Sequence, residues 1–220
     1  MANRIIALGF FSLLSALFAA DSARSEVLDR IRDSDLRHSD LLLRMVQDPE
    51  VIGSVKSRAI EKISILYSQN KKEAERYLPR YAEAVTVLLK HRNAEVREAT
   101  CQIGQVFAST SASAKFAEAY SNALIAENDA DVIRVCAKNL DSYSKDTAIV
   151  SGALIAQVNA FLANFRNSTK DESALIQVCK TLGHLKLRKS FIPLLKILQS
   201  HYDDGVKSAA QTAIQEIKLH

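Results

Sequence analysis

The sequence predicts an all-α protein, and more specifically a right-handed α-α superhelix (solenoid) of about five antiparallel helix pairs. Glycine and proline, which punctuate the tight turns of β-rich folds, contribute only 6 and 3 of the 220 residues, well below average usage. Hydrophobic residues make up 48% of the chain, which is too many for a disordered protein. A short pattern of residue types also recurs along the chain, as is typical of stacked repeats.

The recurring pattern is an acidic residue or asparagine in a turn, followed by a β-branched aliphatic marker, a basic residue and small apolar residues at helical spacing. The markers recur at intervals near the ~40 residues of two-helix solenoid repeats. A degenerate copy, without the basic residue, lies at Ile176-Gln177. The other copies are Asp48 with Val55-Lys56, Asn93 with Val96-Arg97, Asp129 with Ile133-Arg134, and Asp203 with Val206-Lys207.

A helical pattern also precedes each marker. Apolar residues at i, i+3 and i+4 spacing occupy 41–46, 81–89, 116–125, 148–165 and 191–198. Each unit is therefore predicted to be a first helix, a tight turn and a second helix, with the aspartate or asparagine of the turn capping the second helix. The predicted repeat domain spans 23–220, with units at about 25–69, 71–109, 112–143, 146–185 and 187–219.

The chain resembles the HEAT-repeat proteins, including the short repeat variant found in phycobilisome lyases. The best match is Phe191–Leu198 followed by Asp203–Ala210, and a proline in the first helix, such as Pro193 or Pro79, is a habit of this family. The resemblance covers about 25–219 and is weakest in the fourth unit. It implies an α-solenoid with scaffolding or adaptor work, whose concave face is lined by the second helices.

The N-terminus has the pattern of a secretory signal peptide over residues 1–22. Arg4 is followed by an uncharged, largely apolar stretch over 5–20, and small residues allow cleavage after Ser22, with a site after Ala19 as a second choice. An uncleaved membrane anchor is the alternative, but the stretch is shorter than the ~20 residues that a spanning helix needs. No later stretch is expected to be long and apolar enough to span. We therefore expect a periplasmic or secreted protein without membrane insertion after cleavage.

The three cysteines do not form a disulfide framework of the kind found in small secreted proteins. Cys101, Cys136 and Cys179 are an odd number at wide spacings, and each lies within a helical pattern among small and aliphatic residues. We favour their interpretation as small buried hydrophobic residues. The alternative, a bridge between two of them, stays open.

Polar residues on the second helices, off the apolar seam, are the candidate binding residues. Four of them are the basic residues that follow the aliphatic markers, and six lie elsewhere on the same helices. A merely solvated face is the alternative, because Glu61, Glu98, Asp141 and Glu216 dilute the positive charge. The candidate residues are Lys56, Lys62, Arg97, Gln102, Arg134, Lys138, Lys180, His184, Lys207 and Gln211.

The four basic residues after the markers have two interpretations. As a ladder of cations on consecutive helices, they would bind an acidic partner. In HEAT proteins, however, this residue commonly pairs with the turn acid of a neighbouring repeat, and Asp48, Asp129 and Asp203 are suitable acids here. We favour this intramolecular pairing, although exposed ion pairs contribute only ~0–1 kcal/mol each.

No motif for catalysis or for cofactor binding is found. The sequence lacks a phosphate-binding loop, a zinc-protease motif and a nucleophile between a strand and a helix. The run His201–Asp204 suggests metal ligands, but capping of the last helix by Asp203 or Asp204 is the favoured role. The formal net charge of +4 is mild for a nucleic-acid binder. We therefore predict no catalytic residue, no metal, no cofactor and no nucleic-acid partner.

The favoured function is an exported, non-catalytic scaffold or adaptor that binds a protein partner through the concave face. One alternative is an enzyme or small-molecule binder on a HEAT-like scaffold, similar to a lyase. Export weighs against that alternative, because the HEAT-like lyases and DNA-repair glycosylases act inside cells. The other alternative is a subunit of a larger envelope complex. The identity of the partner and the oligomeric state stay open.

Overall fold

The computed structural model describes residues 21–218, with side chains from Arg24 to Ile217. Within this range the chain is helical, with short connections and no β-strand. The predicted signal peptide at 1–22 lies, apart from its last two residues, outside the described residues. An all-α fold is therefore confirmed for the part of the chain that carries the repeats.

The described residues form α-helices and short 3-10 turns. The 3-10 turns are Leu36–His38, Glu75–Tyr77, Gly104–Phe107, Ser144–Asp146 and Arg188–Ser190. The α-helices of the described range are α1 Asp21–Arg32, α2 Ser39–Gln47, α3 Gly53–Gln69, α4 Lys71–Ala74, α5 Leu78–Leu88, α6 Ala94–Gln102, α7 Ser113–Ala126, α8 Ala130–Leu140, α9 Thr147–Asn164, α10 Thr169–His184, α11 Phe191–Leu198 and α12 Asp204–Lys218.

The long helices are arranged in two layers. Helices α2, α5, α7, α9 and α11 form the first layer, in which each helix packs against the next. Helices α3, α6, α8, α10 and α12 form the second layer, and each follows its first-layer partner in the chain. This alternation of stacked helix pairs is an α-solenoid, as predicted.

Helix α1 extends the second layer by one helix before the first pair. It packs against α3, where its Val27 and Ile31 are buried and where Arg24 donates a hydrogen bond to Ser54 Oγ at 3.0 Å. The first predicted unit, at about 25–69, therefore contains α1, α2 and α3 rather than one helix pair. The chain bends at residues 33–38, where Asp35 accepts the N–H of Arg37 and begins a separate 3-10 turn.

Side chains cap most of the second helices, as the repeat pattern predicted. Asn93 and Asp129 accept hydrogen bonds from N–H groups in the first turns of α6 and α8. Asp203 Oδ1 accepts the N–H of Val206 at 2.8 Å at the start of α12, which confirms capping as the role of this residue. Ser168 caps α10, the helix of the degenerate copy. A cap satisfies backbone donors that would otherwise lack a partner.

The first copy of the pattern differs from the prediction. Asp48 accepts the N–H of Glu50 at 2.9 Å and so stabilises a turn, whereas α3 begins only at Gly53. Ile52 lies at the N-cap position in an extended conformation, with no side-chain cap. Asp48 lies more than a full helical turn before Gly53, the first residue of α3. Its side chain is therefore too far away to accept the free N–H groups at the start of this helix.

Buried tyrosines tie neighbouring units together through backbone carbonyl groups. Helix α6 ends at Gln102 and continues as a 3-10 turn, so several of its carbonyls lack an α-helical partner. The hydroxyl of Tyr120 donates to the Thr100 carbonyl at 3.1 Å, and that of Tyr143 donates to the Gly104 carbonyl at 2.7 Å. These hydrogen bonds fix how α7 and α8 pack on the end of α6.

Helix α9 corrects one expectation about membranes. Within the described residues, the segment 144–164 is long and apolar enough to cross a membrane by length and composition, although no later stretch was expected to be. Core helices of soluble proteins meet the same criteria. In α9 the side chains of Val150, Leu154, Val158 and Phe161 are fully buried against other helices. Its apolar composition thus follows from its packing in the first layer.

Candidate functional site

Six of the ten predicted binding residues lie on the outer side of the second layer. Five of these side chains are exposed, and Lys62 is half-buried because its ammonium group donates to the Arg32 carbonyl of α1 at 2.5 Å. They come from five successive second-layer helices. We call this set of residues the second-layer face, and its members are Lys62, Gln102, Lys138, Lys180, His184 and Gln211.

The other four predicted residues do not form a ladder of cations. Lys56, Arg97 and Lys207 are each the fourth residue after the N-cap of their helix, whereas Arg134 is the fifth residue after Asp129. Successive helical residues are 100° apart around the axis, so Arg134 lies on a different side of its helix. The cation ladder was the alternative to the favoured intramolecular pairing, and this placement does not support it.

Lys56 is a buried lysine rather than a surface cation. It is only 4% exposed, and this burial lowers its pKa, while the charge of Asp48 acts in the opposite direction. A lysine in this environment covers its carbon chain with neighbouring groups and offers little to a partner. Lys207, at the corresponding position of α12, is half-buried, and Arg134 lies 3.9 Å from Asp131 in its own helix.

Arg97 is held inside the solenoid by a carboxylate of the next unit. Its Nε lies 2.7 Å from Glu127 Oε2, its Nη2 lies 2.9 Å from Glu127 Oε1, and its Nη1 donates to the His91 carbonyl at 2.8 Å. Glu127 Oε1 also accepts the N–H groups of Asn128 and Asp129. Pairing with an acid of the neighbouring turn is thus observed, but the acid is Glu127 and not Asp129.

The electrostatics of this pair follow from its surroundings. Burial alone would raise the pKa of Glu127, but hydrogen bonds from Arg97 and from two backbone N–H groups outweigh it and lower the pKa. The side chains of Glu127 and Arg97 are 7% and 18% exposed. All the Glu127 and Arg97 groups named above are engaged within the protein, so the pair joins two units.

Two side-chain contacts tie α8 to α10 along the second layer. Near the N-terminal ends of these helices, Lys170 Nζ lies 2.6 Å from Asp131 Oδ2, and this contact lowers the pKa of Asp131. Near the C-terminal ends, His184 Nδ1 lies 3.0 Å from Asp141 Oδ2. The sequence pattern did not identify these pairs. Aligning α8 and α10 by their N-caps would have placed Asp131 opposite Lys170, but it would not have placed Asp141 opposite His184.

Lys138 and Lys180 remain as the cations in the middle of this face. Both side chains are exposed, and neither lies within ion-pair distance of a carboxylate among residues 24–217. Their neighbours Asp131 and Asp141 are already paired with groups of α10. The centre of the second-layer face therefore offers two available ammonium groups with the amide groups of Gln102 and Gln211 on either side.

Shallow clefts adjoin this face at both ends. One of about 360 Å³ lies between α10 and α12 and is lined by Lys180, His184 and Glu216 among others. Another of about 360 Å³ lies between α1 and α3 beside Lys62 and Ile65. A larger cleft of about 510 Å³ lies between α5 and α7 and contains the Arg97–Glu127 pair. In the described residues, no three His, Cys, Asp or Glu side chains are grouped as metal ligands.

No family model matches the sequence, and no curated protein matches it. Solved structures are similar in fold. An engineered protein superposes with a TM-score of 0.59 at 16% identity, over 95% of this chain and 98% of that one. A designed armadillo repeat protein in complex with the peptide (KR)4 superposes with a TM-score of 0.56 at 16% identity, over 94% and 98%. The chain is thus an α-solenoid with an armadillo-like helical fold.

Proposed function

We propose that this protein is an exported, non-catalytic scaffold or adaptor of the HEAT type, and that it binds a protein partner through the second-layer face. The observation that carries the proposal is the presence of exposed amide and ammonium groups on four successive second-layer helices, from Gln102, Lys138, Lys180 and Gln211. Polar side chains on successive helices suit an extended peptide segment, whose backbone and side chains repeat along its length. The designed armadillo repeat protein in complex with the peptide (KR)4 supports peptide binding by such a fold.

The chemistry of the face indicates an acidic partner. Lys138 and Lys180 are free to pair with carboxylates, and Gln102 and Gln211 both donate and accept hydrogen bonds, as peptide groups require. The peptide (KR)4 of the designed protein is basic, so the two solenoids would use one architecture for ligands of opposite charge. We propose that an acidic, extended peptide segment lies across α6, α8, α10 and α12, on the concave side of the solenoid.

Charge reversal on this face tests the proposal. Peptides selected from a random display library by the intact protein would be measured for binding to the Lys138→Glu/Lys180→Glu variant. The matched control is Lys115→Glu/Lys196→Glu, which places the same two changes on exposed positions of the first layer. We expect the selected peptides to be acidic. Their Kd should rise about tenfold or more, equal to about 1.4 kcal/mol, for Lys138→Glu/Lys180→Glu and should stay unchanged for the control. Equal binding by both variants would contradict the assignment of the face.

Export is the second part of the proposal. Cleavage after Ser22 would leave Val27 and Ile31, which hold α1 against α3, in the mature chain. These two side chains would therefore still pack against α3 after the leader is removed. Expression of the full chain in a bacterial cell, followed by fractionation and N-terminal sequencing, tests this. We expect envelope or secreted protein that begins at Ala23, and an intact Met1 in the cytosolic fraction would refute export.

A further inference from the structure

Cys101 and Cys136 lie against each other in the interior of the second layer. They belong to α6 and α8, two neighbouring helices of this layer, and both side chains are fully buried. Cys136 is the largest influence that raises the pKa of the Cys101 thiol, and the Cys136 thiol lies 3.6 Å from the Tyr120 carbonyl oxygen. Cys179 of α10 is equally buried, and within the described residues it does not contact another cysteine. The two thiols thus form a pair between repeat units.

The backbone spacing at this point suits a disulfide. Gly104 and Asn139 follow the two cysteines by three residues each, so they lie on the same sides of the chain one turn later. A Cβ atom at Gly104 would lie 3.3 Å from Asn139 Cβ, and the Asn139 amide donates to the Cys101 carbonyl. Disulfides require a Cβ–Cβ distance of about 3.5–4.5 Å, and the 3-10 turn that follows α6 approaches α8 this closely three residues beyond the cysteines.

We propose that Cys101 and Cys136 form an intramolecular disulfide when the protein folds in an oxidising compartment. Each thiol gives up one proton and one electron as the sulfur–sulfur bond forms. The oxidant is another disulfide, from a small thiol or an oxidoreductase, whose own bond is reduced to two thiols. The bridge would tie α6 to α8 beside Gln102 and would fix the spacing between the second and third units.

The timing of the reaction follows from the burial of the pair. The hydrogen bond between the thiols and their burial raise the pKa of Cys101 well above its usual range, so the folded protein holds little reactive thiolate. Exchange is therefore expected while the chain folds, before the two layers close over the sulfur atoms. Once formed, the bond is shielded from small reductants in the same way.

Refolding in a redox buffer tests the bridge directly. The reduced chain would be unfolded in denaturant, diluted into oxidised and reduced glutathione, and alkylated under denaturing conditions before peptide mapping. We expect a mass lower by two hydrogen atoms, one peptide pair joined through Cys101 and Cys136, and alkylation of Cys179 alone. Tm should rise by roughly 5 °C or more over the reduced form, and the Cys136→Ala variant should show no shift between the two buffers.

Other outcomes would overturn the proposal. A refolded protein with three alkylated thiols, or a bridge that includes Cys179, would show that the paired thiols do not oxidise together. The occurrence of the bridge in cells rests on the proposed export, whereas the refolding experiment does not. Refolding with the bridge but a cytosolic location would refute export alone, and secretion of a chain with three free thiols would refute the bridge alone.

Discussion

Arg97 and Glu127 form a paired, two-pronged salt bridge that joins the second unit to the third, with nitrogen–oxygen distances of 2.7 and 2.9 Å. Arg97 lies in the first turn of α6, and Glu127 is the residue that follows α7. The same carboxylate accepts two backbone N–H groups of the turn before α8. One side chain thus fixes both the register of α6 and the entry into α8.

Glu127→Ala should strongly destabilise the protein. It removes the carboxylate and leaves the Arg97 guanidinium, 18% exposed, without its charge partner. We expect the free energy of unfolding to fall by about 3 kcal/mol, as is typical when one partner of a buried pair is removed. Urea denaturation measures the change. The matched control is Glu26→Ala, which removes the exposed pair with Arg30 and should cost less than about 1 kcal/mol.

The same pair predicts a pH dependence of stability. The pKa of Glu127 is lowered in the folded protein from its usual value of 4.5, so the folded state holds this carboxylate ionised more firmly than the unfolded chain does. The stabilisation is complete above that value and is lost as the pH falls through the folded pKa. The difference in melting temperature between the wild type and Glu127→Gln should therefore be constant above about pH 5 and should shrink as the pH falls below 4.5. A difference that stays constant from neutral pH to about pH 3 would contradict the assignment.

Two helical glycines should respond in opposite ways to alanine. A Cβ at Gly183 would lie 2.8 Å from Ala213 Cα and against Glu216, so Gly183→Ala must push α12 away from α10. We expect a loss of about 1–3 kcal/mol. Gly152 has no neighbour within 4 Å of an added Cβ, so Gly152→Ala should gain up to about 1 kcal/mol from helix propensity. Chemical denaturation measures the free energy of unfolding of both variants. An equal loss of stability in the two variants would refute the close contact between Gly183 and Ala213.

Tyr143→Phe tests the hydrogen bonds that replace helical ones at the end of α6. The variant removes the donor to the Gly104 carbonyl and leaves that buried oxygen without this partner. We expect a loss of about 1–3 kcal/mol, measured by thermal and urea unfolding. Tyr77→Phe, which removes a half-buried hydroxyl near Arg76, is the control and should change stability little.

The repeat architecture could be predicted because it is a local property of the sequence. Asn93 and Asp129 cap their helices within the turn where they occur, and apolar spacing alone located α5, α7, α9 and α11. The cap of α10 was missed because Ser168 lacks the acidic signal of the other turns. Asp48 misled because it accepts the N–H of Glu50 in a turn and α3 begins only at Gly53.

The candidate site was predictable only in part, because it depends on how helices stand beside each other. Gln102, Lys138 and Lys180 were recognised as lying off the apolar seam, and they are exposed. The engagement of Arg97 by Glu127 depends on a contact over 30 residues, and the contact between Cys101 and Cys136 depends on the approach of α6 to α8. No pattern within one helix reports such contacts.

Photo-crosslinking in cells tests the central claim that the second-layer face binds a protein. A photoreactive amino acid at Gln102 or at Gln211 would report contacts of this face, and the same group at Glu118, exposed on the first layer, is the control. The account predicts an adduct with the same partner protein from both second-layer positions and none from Glu118. Adducts from Glu118 alone, or none from Gln102 and Gln211, would contradict it.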